Sequence, residues 1–188
     1  MGWTGYYITG KVNRKVECDK ILNCEHLKVE KSRMVGSTYY AAVRVVKKEV
    51  KKENNQYIFE EIPQEEQKVF GVVILTSTKK DRWDAEFCYK EMSECVGPYP
   101  RRCPDSILNL LTETDDKYAL EWRKDCREYN QKKKFLKNAA LGARIEVSLR
   151  DELVIFQKVK TGRYIQWLNE DLQYIPESCI PEHSFTVI

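Results

Sequence analysis

The first residues to consider for catalysis are the two histidines and three carboxylates, Glu91, Glu94 and Asp105. A serine or cysteine nucleophile needs a neighbouring base, and His26 and His183 are the only imidazoles in the chain. His26 follows a short predicted helix and His183 lies in the C-terminal tail, so we expect surface positions for both. Glu91 and Glu94, with Asp105 not far along the chain, could form an acid–base pair, but no spacing rule brings them together.

The cysteines are scattered along the chain rather than paired. The seven are Cys18, Cys24, Cys88, Cys95, Cys103, Cys126 and Cys179. Zinc sites usually show closely spaced cysteine pairs such as C-x-x-C, and this sequence has none. Four cysteines could still meet in space, namely Cys88, Cys95, Cys103 and Cys126, although small buried hydrophobic side chains are the simpler interpretation. Glycine-rich phosphate loops are also missing. We therefore predict no metal, no disulfide, no cofactor and no enzymatic activity.

Length and charge describe an ordinary globular chain. Its 188 residues allow one large domain or two small ones, and 42% hydrophobic residues are enough for a core. The net charge of +3, from 32 basic and 29 acidic residues, is too balanced to require a nucleic-acid partner. No apolar run approaches the ~20 residues of a membrane span, and no secretory signal is visible. We predict a cytoplasmic protein with no membrane partner.

The sequence predicts secondary structure most clearly between Phe87 and Tyr129, where a strand, a short helix and a longer helix follow one another. Prolines end a strand there and open a short helix, which carries Ile107, Leu108 and Leu111 on one side. Thr114 predicts the N-cap of a second, longer helix. That helix has a predicted buried stripe at intervals of three and four residues, consisting of Tyr118, Trp122, Cys126 and Tyr129.

Upstream of this stretch the apolar residues alternate with a period of two, which is typical of antiparallel strands. A short helix capped by Asn13 and ending near Leu22 precedes them. The predicted strands are Leu27–Met34, Thr38–Val50, Tyr57–Ile62, Phe70–Thr76 and Ala85–Met92, with Asn54 and Asn55 in a turn. Phe70–Thr76 is apolar on both faces, so we expect it at the centre of the sheet.

The C-terminal segment predicts a small β unit of its own. Leu153–Val159 and Tyr164–Leu168 read as strands joined by a hairpin turn at Gly162, with Trp167 packed inside. The fold class predicted for the chain is therefore α+β, a mainly antiparallel sheet packed by two or three helices, with a small C-terminal β unit. Gly142 is the predicted boundary, which divides the chain into residues 1–141 and 142–188.

Two clusters of charged residues are candidate binding sites. The basic cluster lies on the long helix and comprises Arg123, Lys124, Arg127, Lys132, Lys133, Lys134 and Lys137. A nucleic-acid backbone could lie along it, although interspersed acidic residues also fit a solvated helix face. The acidic cluster around Pro63 comprises Glu60, Glu61, Glu65 and Glu66. It could imitate phosphates, or it could be an exposed loop with no partner.

Five short segments together carry a resemblance to a protein family. They are MGWT at residues 1–4, SRMVGSTYYAAV at 32–43, VFGVVILTST at 69–78, YKEMSECVGPYPRRCP at 89–104 and LEWRKDC at 120–126. In combination they resemble an uncharacterised family of phages and mobile elements of Gram-positive bacteria. The resemblance covers nearly the whole chain. It implies no activity and no catalytic residue, because the family has none to transfer.

What the resemblance implies is a setting in which small proteins often act on host machinery. Three hypotheses follow. In the first, the protein is a non-enzymatic inhibitor that binds a host defence nuclease, as an anti-CRISPR protein acting on a type II effector (Cas9) or on its guide complex would. In the second, it is an accessory protein that binds nucleic acid through the basic helix face. In the third, it is a small enzyme with no visible motif.

Overall fold

The computed structural model describes residues 2–53, 56–80, 84–98, 100–150, 152–177 and 179–188. The chain forms two compact units, Met1–Cys126 and Arg127–Ile188, and the long helix α3 (Lys117–Asn138) contributes residues to both. Helices and antiparallel strands occur together, which confirms the predicted α+β class.

A five-stranded antiparallel sheet forms the first unit, in the order β1-β7-β6-β3-β2. Its strands are β1 (Thr4–Thr9), β2 (Leu27–Val35), β3 (Thr38–Val45), β6 (Val69–Lys80) and β7 (Asp84–Ser93). The other elements of this unit are α1 (Arg14–Leu22), β4 (Lys47–Glu53), β5 (Gln56–Glu61), α2 (Asp105–Leu108) and the start of α3. Strand β6 lies between β3 and β7, which confirms the central position predicted for Phe70–Thr76.

Both faces of this sheet are covered, because alternate residues of the central strands are apolar on each side. On one face Tyr39, Ile74 and Phe87 pack in a core cluster with residues of α1. On the other face the cluster includes Tyr40, Val73, Met92, Ile107 and Trp122. Helix α2 and the first turns of α3 therefore pack on the sheet face opposite to α1.

The start of the long helix differs from the sequence-based prediction. Asp116 caps it by accepting a hydrogen bond from the Ala119 backbone nitrogen at 2.8 Å, so the predicted cap at Thr114 is wrong. Trp122 is buried as predicted, but Tyr118 is 61% exposed. The side of the helix facing the sheet carries Ala119, Trp122 and Cys126. The centre of this buried side is rotated by about 70° around the helix axis from Tyr118, so the predicted membership of Tyr118 in the buried stripe is wrong.

The predicted strand Thr38–Val50 is divided into β3 and β4 at Val46. There the backbone leaves the ladder, because Val46 donates to the His26 carbonyl at 3.0 Å and accepts from the Ile62 nitrogen at 2.9 Å. Strands β4 and β5 form a separate two-stranded sheet. The turn predicted at Asn54 and Asn55 lies outside the described residues.

The second unit is a five-stranded antiparallel sheet in the order β11-β10-β9-β8-β12. Its strands are β8 (Arg144–Leu149), β9 (Glu152–Thr161), β10 (Tyr164–Leu168), β11 (Tyr174–Ile175) and β12 (Phe185–Val187). Gly162 has a φ of +60° in the predicted hairpin turn, a conformation that suits glycine. The core contains Trp167, Ile145 and Leu136, so the prediction that Trp167 is packed inside is confirmed.

The division between the compact units falls at Cys126 and Arg127, inside α3. The domain boundary at Gly142 stays a prediction, because compactness alone does not show which segment folds by itself. None of the helices in the described ranges is long and apolar enough to cross a membrane.

Candidate binding surfaces

The structure separates the predicted basic cluster into buried and exposed members. Arg123 is only 7% exposed and is part of the core of the first unit. Its Nε and Nη2 atoms donate to the two carboxylate oxygens of Glu94, at 2.6 and 2.7 Å, and its Nη1 donates to the Thr112 carbonyl at 2.8 Å. Arg123 therefore holds the helix on the sheet and does not present its charge to a partner. Lys124, next to it, is exposed.

Glu94 is fixed from the other side by the central strand. The backbone nitrogen of Gly71 donates to Glu94 Oε1 at 2.9 Å. A Cβ atom on residue 71 would lie 3.0 Å from the Trp122 ring and 3.3 Å from Glu94 Oε2, so only glycine leaves room for both. The carboxylate of Glu94 is thus committed to structural contacts, and the structure gives no support to an acid–base pair of Glu91 and Glu94.

A cleft of about 490 Å³ opens beside this ion pair. Lys68, Phe70 and Cys95 contribute to its lining together with Glu94 and Arg123. Both carboxylate oxygens and three nitrogens of the guanidinium already have partners within the protein. We therefore interpret the charged pair as a structural link rather than as a ligand site.

The remaining basic residues of the predicted cluster lie on α3 within the second unit. Four of them are exposed and are called the basic segment below: Arg127, Lys133, Lys134 and Lys137. Lys132 differs, because it is half-buried: its Nζ donates to the His183 carbonyl at 3.4 Å and lies 5.8 Å from the centre of the Phe185 ring.

The basic segment has a defined geometry along the helix. Arg127, Lys134 and Lys137 occupy positions i, i+7 and i+10, which fall on one side of an α-helix over about 15 Å. From Arg127 to the helix end, five basic residues accompany a single acidic residue, Glu128. This stretch is positively charged, and Lys137 lies in the last helical turn, where the helix dipole favours a cation.

The predicted acidic cluster is balanced by lysines on the neighbouring strand. Glu60 and Glu61 of β5 lie directly opposite Lys48 and Lys47 of β4. Lys47 also forms an ion pair with Glu25 at 2.9 Å, and this hydrogen bond raises the pKa of Lys47 above its ordinary value. Glu65 and Glu66 are exposed on the 3-10 turn Gln64–Glu66. Glu60 and Glu61 therefore each have a lysine opposite them, which offsets part of the negative charge of the acidic cluster.

The histidines do not form a conventional nucleophile–base arrangement in the described structure. Cys24 Sγ lies 3.4 Å from Nδ1 and 3.7 Å from Nε2 of His26, and similar distances to both nitrogens place the sulfur over the ring rather than in line with either nitrogen. Phe59 stacks in parallel on the same ring with 4.9 Å between centroids. His183 donates its backbone nitrogen to the Ile180 carbonyl at 3.0 Å. We interpret both histidines as structural.

All seven cysteines lie within the described residues, and none of them is joined to another by a disulfide. Of the four that could have converged, Cys103 and Cys126 share one buried cluster, whereas Cys95 is exposed. Burial raises the pKa of the Cys126 thiol to about 12 and also raises that of Cys103, so both stay protonated. Within the part of the chain that the structure describes, no three His, Cys, Asp or Glu residues are placed to hold a metal ion together.

One structural contact of the second unit was not predicted from the sequence. Lys158 is only 4% exposed, and its Nζ donates to the carbonyls of Leu136 and Lys137 at 2.7 and 3.2 Å. It thus binds the end of the helix that carries the basic segment. The alternation in β9 contains a signal for this, because Phe156 and Lys158 have the same inward-facing parity.

No family model matches this chain, and no curated protein matches it either. The structure is that of an α+β protein in which the last three turns of α3 carry four exposed basic residues, Arg127, Lys133, Lys134 and Lys137.

Proposed function

We propose that this protein acts by binding rather than by catalysis, and that it inhibits a host defence nuclease by contacting the nucleic acid of the guide-loaded complex through the basic segment. Such a partner would be a type II CRISPR nuclease (Cas9) with its guide RNA. The phage and mobile-element setting of the proposal rests on the resemblance of the five sequence segments. The choice of the contact surface rests on the geometry of the charged residues.

The observation that carries the choice of surface is the difference between the two charged clusters. Glu60 and Glu61 face lysines across their hairpin, so their field is compensated locally. The basic segment has one acidic neighbour on its stretch of helix, and its side chains are exposed. A hairpin with lysines opposite its glutamates is a poor imitation of a phosphate backbone, whereas a stretch of helix with an excess of exposed basic residues attracts one.

Cleavage of target DNA by a purified guide-loaded nuclease, with rising amounts of this protein, tests the proposal. Two charge-reversed variants form a matched pair. One changes Arg127, Lys133, Lys134 and Lys137 to Glu, and the other changes Glu60, Glu61, Glu65 and Glu66 to Lys. All eight positions are exposed, and the melting temperature of each variant shows whether it still folds.

We expect the wild-type protein to inhibit cleavage, and we expect the same of the variant in which the acidic cluster is reversed. The variant in which the basic segment is reversed should no longer inhibit cleavage. The reverse pattern would assign the contact to the acidic cluster. Unimpaired cleavage in the presence of wild-type protein, across type II nucleases of Gram-positive hosts, would rule out nuclease inhibition of this kind.

The same basic segment favours a second candidate, a nucleic-acid-binding accessory protein that needs no nuclease. Fluorescence anisotropy with labelled single-stranded and duplex oligonucleotides separates the two candidates. Direct binding that weakens steeply with salt, without any effect on a nuclease, would favour the accessory protein. Binding to the guide-loaded nuclease without measurable affinity for free oligonucleotides would favour the inhibitor.

A further inference from the structure

The two edges of the five-stranded sheet are built differently. Edge strand β2 carries Lys28, Glu30, Lys31 and Arg33 and is interrupted by a bulge between Val29 and Lys31. Exposed charges and bulges are the usual features that keep an edge strand from pairing with another strand. This edge is therefore protected against strand addition.

Edge strand β1 has none of those features. Its sequence TGYYIT contains no charge and no proline, and its pairing with β7 runs through all six residues without a break. Five of its six residues are exposed, including Tyr7 at 75%, and Trp3 just before it is 56% exposed. In the described ranges no strand pairs with β1 on its other side. The unpaired backbone groups of this edge form a template for another strand.

We propose that β1 pairs with β1 of a second copy of this chain and joins the two five-stranded sheets into one. The uncharged edge suits a copy of itself, because antiparallel pairing across a two-fold axis brings no like charges together. A charged peptide from another protein would find no complementary charge on this strand.

The two-fold axis restricts the register of the pairing. Antiparallel partners must lie on the same face of the sheet, so a residue of one parity pairs only with residues of that parity. Tyr6 and Ile8 lie on the α1 face, where Tyr6 donates to Glu17 at 3.1 Å and Ile8 packs on the core cluster. Tyr7 lies on the other face. A register centred on Tyr7 places the two exposed tyrosines opposite each other, where aromatic side chains stabilise strand pairs.

Light scattering coupled to size-exclusion chromatography tests the pairing on the full chain. The wild type should dissociate from dimer to monomer on dilution. Tyr7→Lys should raise the dissociation constant at least about tenfold, because two lysines would face each other across the axis. Tyr7→Thr is the matched control, which keeps a residue suited to strands without a charge and should weaken the dimer less than Tyr7→Lys.

Hydrogen exchange of the wild type gives a readout that does not depend on a variant. Amides of β1 should exchange more slowly as the protein concentration rises, while those of β2 should not change. A wild type that is monomeric at all concentrations would overturn the proposal, and so would a dimer that Tyr7→Lys leaves intact. A dimer without concentration-dependent protection of β1 would overturn it as well.

Discussion

Arg123 and Glu94 are separated by 29 residues in sequence and form the one buried ion pair found among the described residues. Each charge depends on the other, because a buried charge without a partner costs far more than a surface charge. We expect Arg123→Ala to lower the free energy of unfolding by about 3–5 kcal/mol, since it leaves the Glu94 carboxylate buried and uncompensated. Urea unfolding followed by tryptophan fluorescence measures this difference.

The exposed neighbour Lys124 provides the control. Lys124→Ala should change the unfolding free energy by no more than about 0.5 kcal/mol. Equal effects of the two substitutions would show that Arg123 belongs to the surface, as the sequence-based basic cluster supposed.

Asp19 is a second residue that connects separate elements, because its side chain links α1 to strands β2 and β3. Its carboxylate accepts hydrogen bonds from Lys15 at 2.6 Å and Ser32 at 2.7 Å, and also from Tyr39. Partial burial of Asp19 pushes its pKa upward, but the hydrogen bonds from Lys15, Tyr39 and Ser32 outweigh this effect and hold its pKa below the ordinary value.

The lowered pKa predicts how stability changes with pH. A carboxyl whose pKa is lower in the folded chain stabilises it above the unfolded pKa of about 3.9, and this contribution is lost as pH falls through the folded pKa. Asp19→Asn should therefore cost about 1–2 kcal/mol at neutral pH and much less in acid below both pKa values. Urea unfolding at the two pH values measures this, with Asp171→Asn at an exposed position as control. A cost that does not change with pH would contradict the assignment.

Among the elements, helix α3 depends on a lysine of strand β9 for the order of its last turn. The Lys158 ammonium group donates hydrogen bonds to the carbonyls of Leu136 and Lys137 near the helix end, where backbone oxygens lack partners within the helix. We expect Lys158→Met to lower stability by about 1–3 kcal/mol, because it leaves these carbonyls without a buried donor. Thermal unfolding and the helical signal in circular dichroism report both effects.

Lys160 lies two residues further along the same strand and is exposed. Lys160→Met should leave the melting temperature unchanged within a few degrees. If both substitutions behave alike, Lys158 does not anchor the helix.

The strands were largely predictable from the sequence because alternation in an antiparallel sheet is a local property. The pairing of Phe70–Thr76 on both sides follows from its apolar character on both faces. Local signals also located the Asn13 cap, whose side chain accepts from Val16 as expected. They failed at Thr114, since Asp116 two residues later offers an equally good capping oxygen and the sequence does not rank the two.

Contacts between distant residues were not predictable in the same way. Nothing in the sequence near Arg123 shows that Glu94 lies within hydrogen-bonding distance, so Arg123 was grouped with the surface lysines next to it. The compensation of Glu60 and Glu61 by Lys48 and Lys47 depends on the hairpin register, which a bulge between Glu49 and Lys51 shifts by one residue. A charged cluster in sequence is therefore a weak guide to a charged surface.

In the function that we propose, the whole protein acts by binding and the basic segment makes the contact. The net charge of +3 gives little indication of this, because basic and acidic residues nearly balance over the rest of the chain, whereas residues 127–138 contain five basic residues and one acidic residue. If the basic segment makes the contact, the affinity of the protein for its partner depends on the nucleic acid that the partner carries.

The most direct test compares the binding of wild-type protein to a purified type II nuclease with and without its guide RNA, by biolayer interferometry. We expect binding to the guide-loaded nuclease that is at least about tenfold tighter than binding to the nuclease alone. We also expect at least an equal loss of affinity when Arg127, Lys133, Lys134 and Lys137 are changed to Glu, because each removed contact with a phosphate weakens binding. An affinity that changes neither with the guide nor with these four substitutions would rule out the proposed contact.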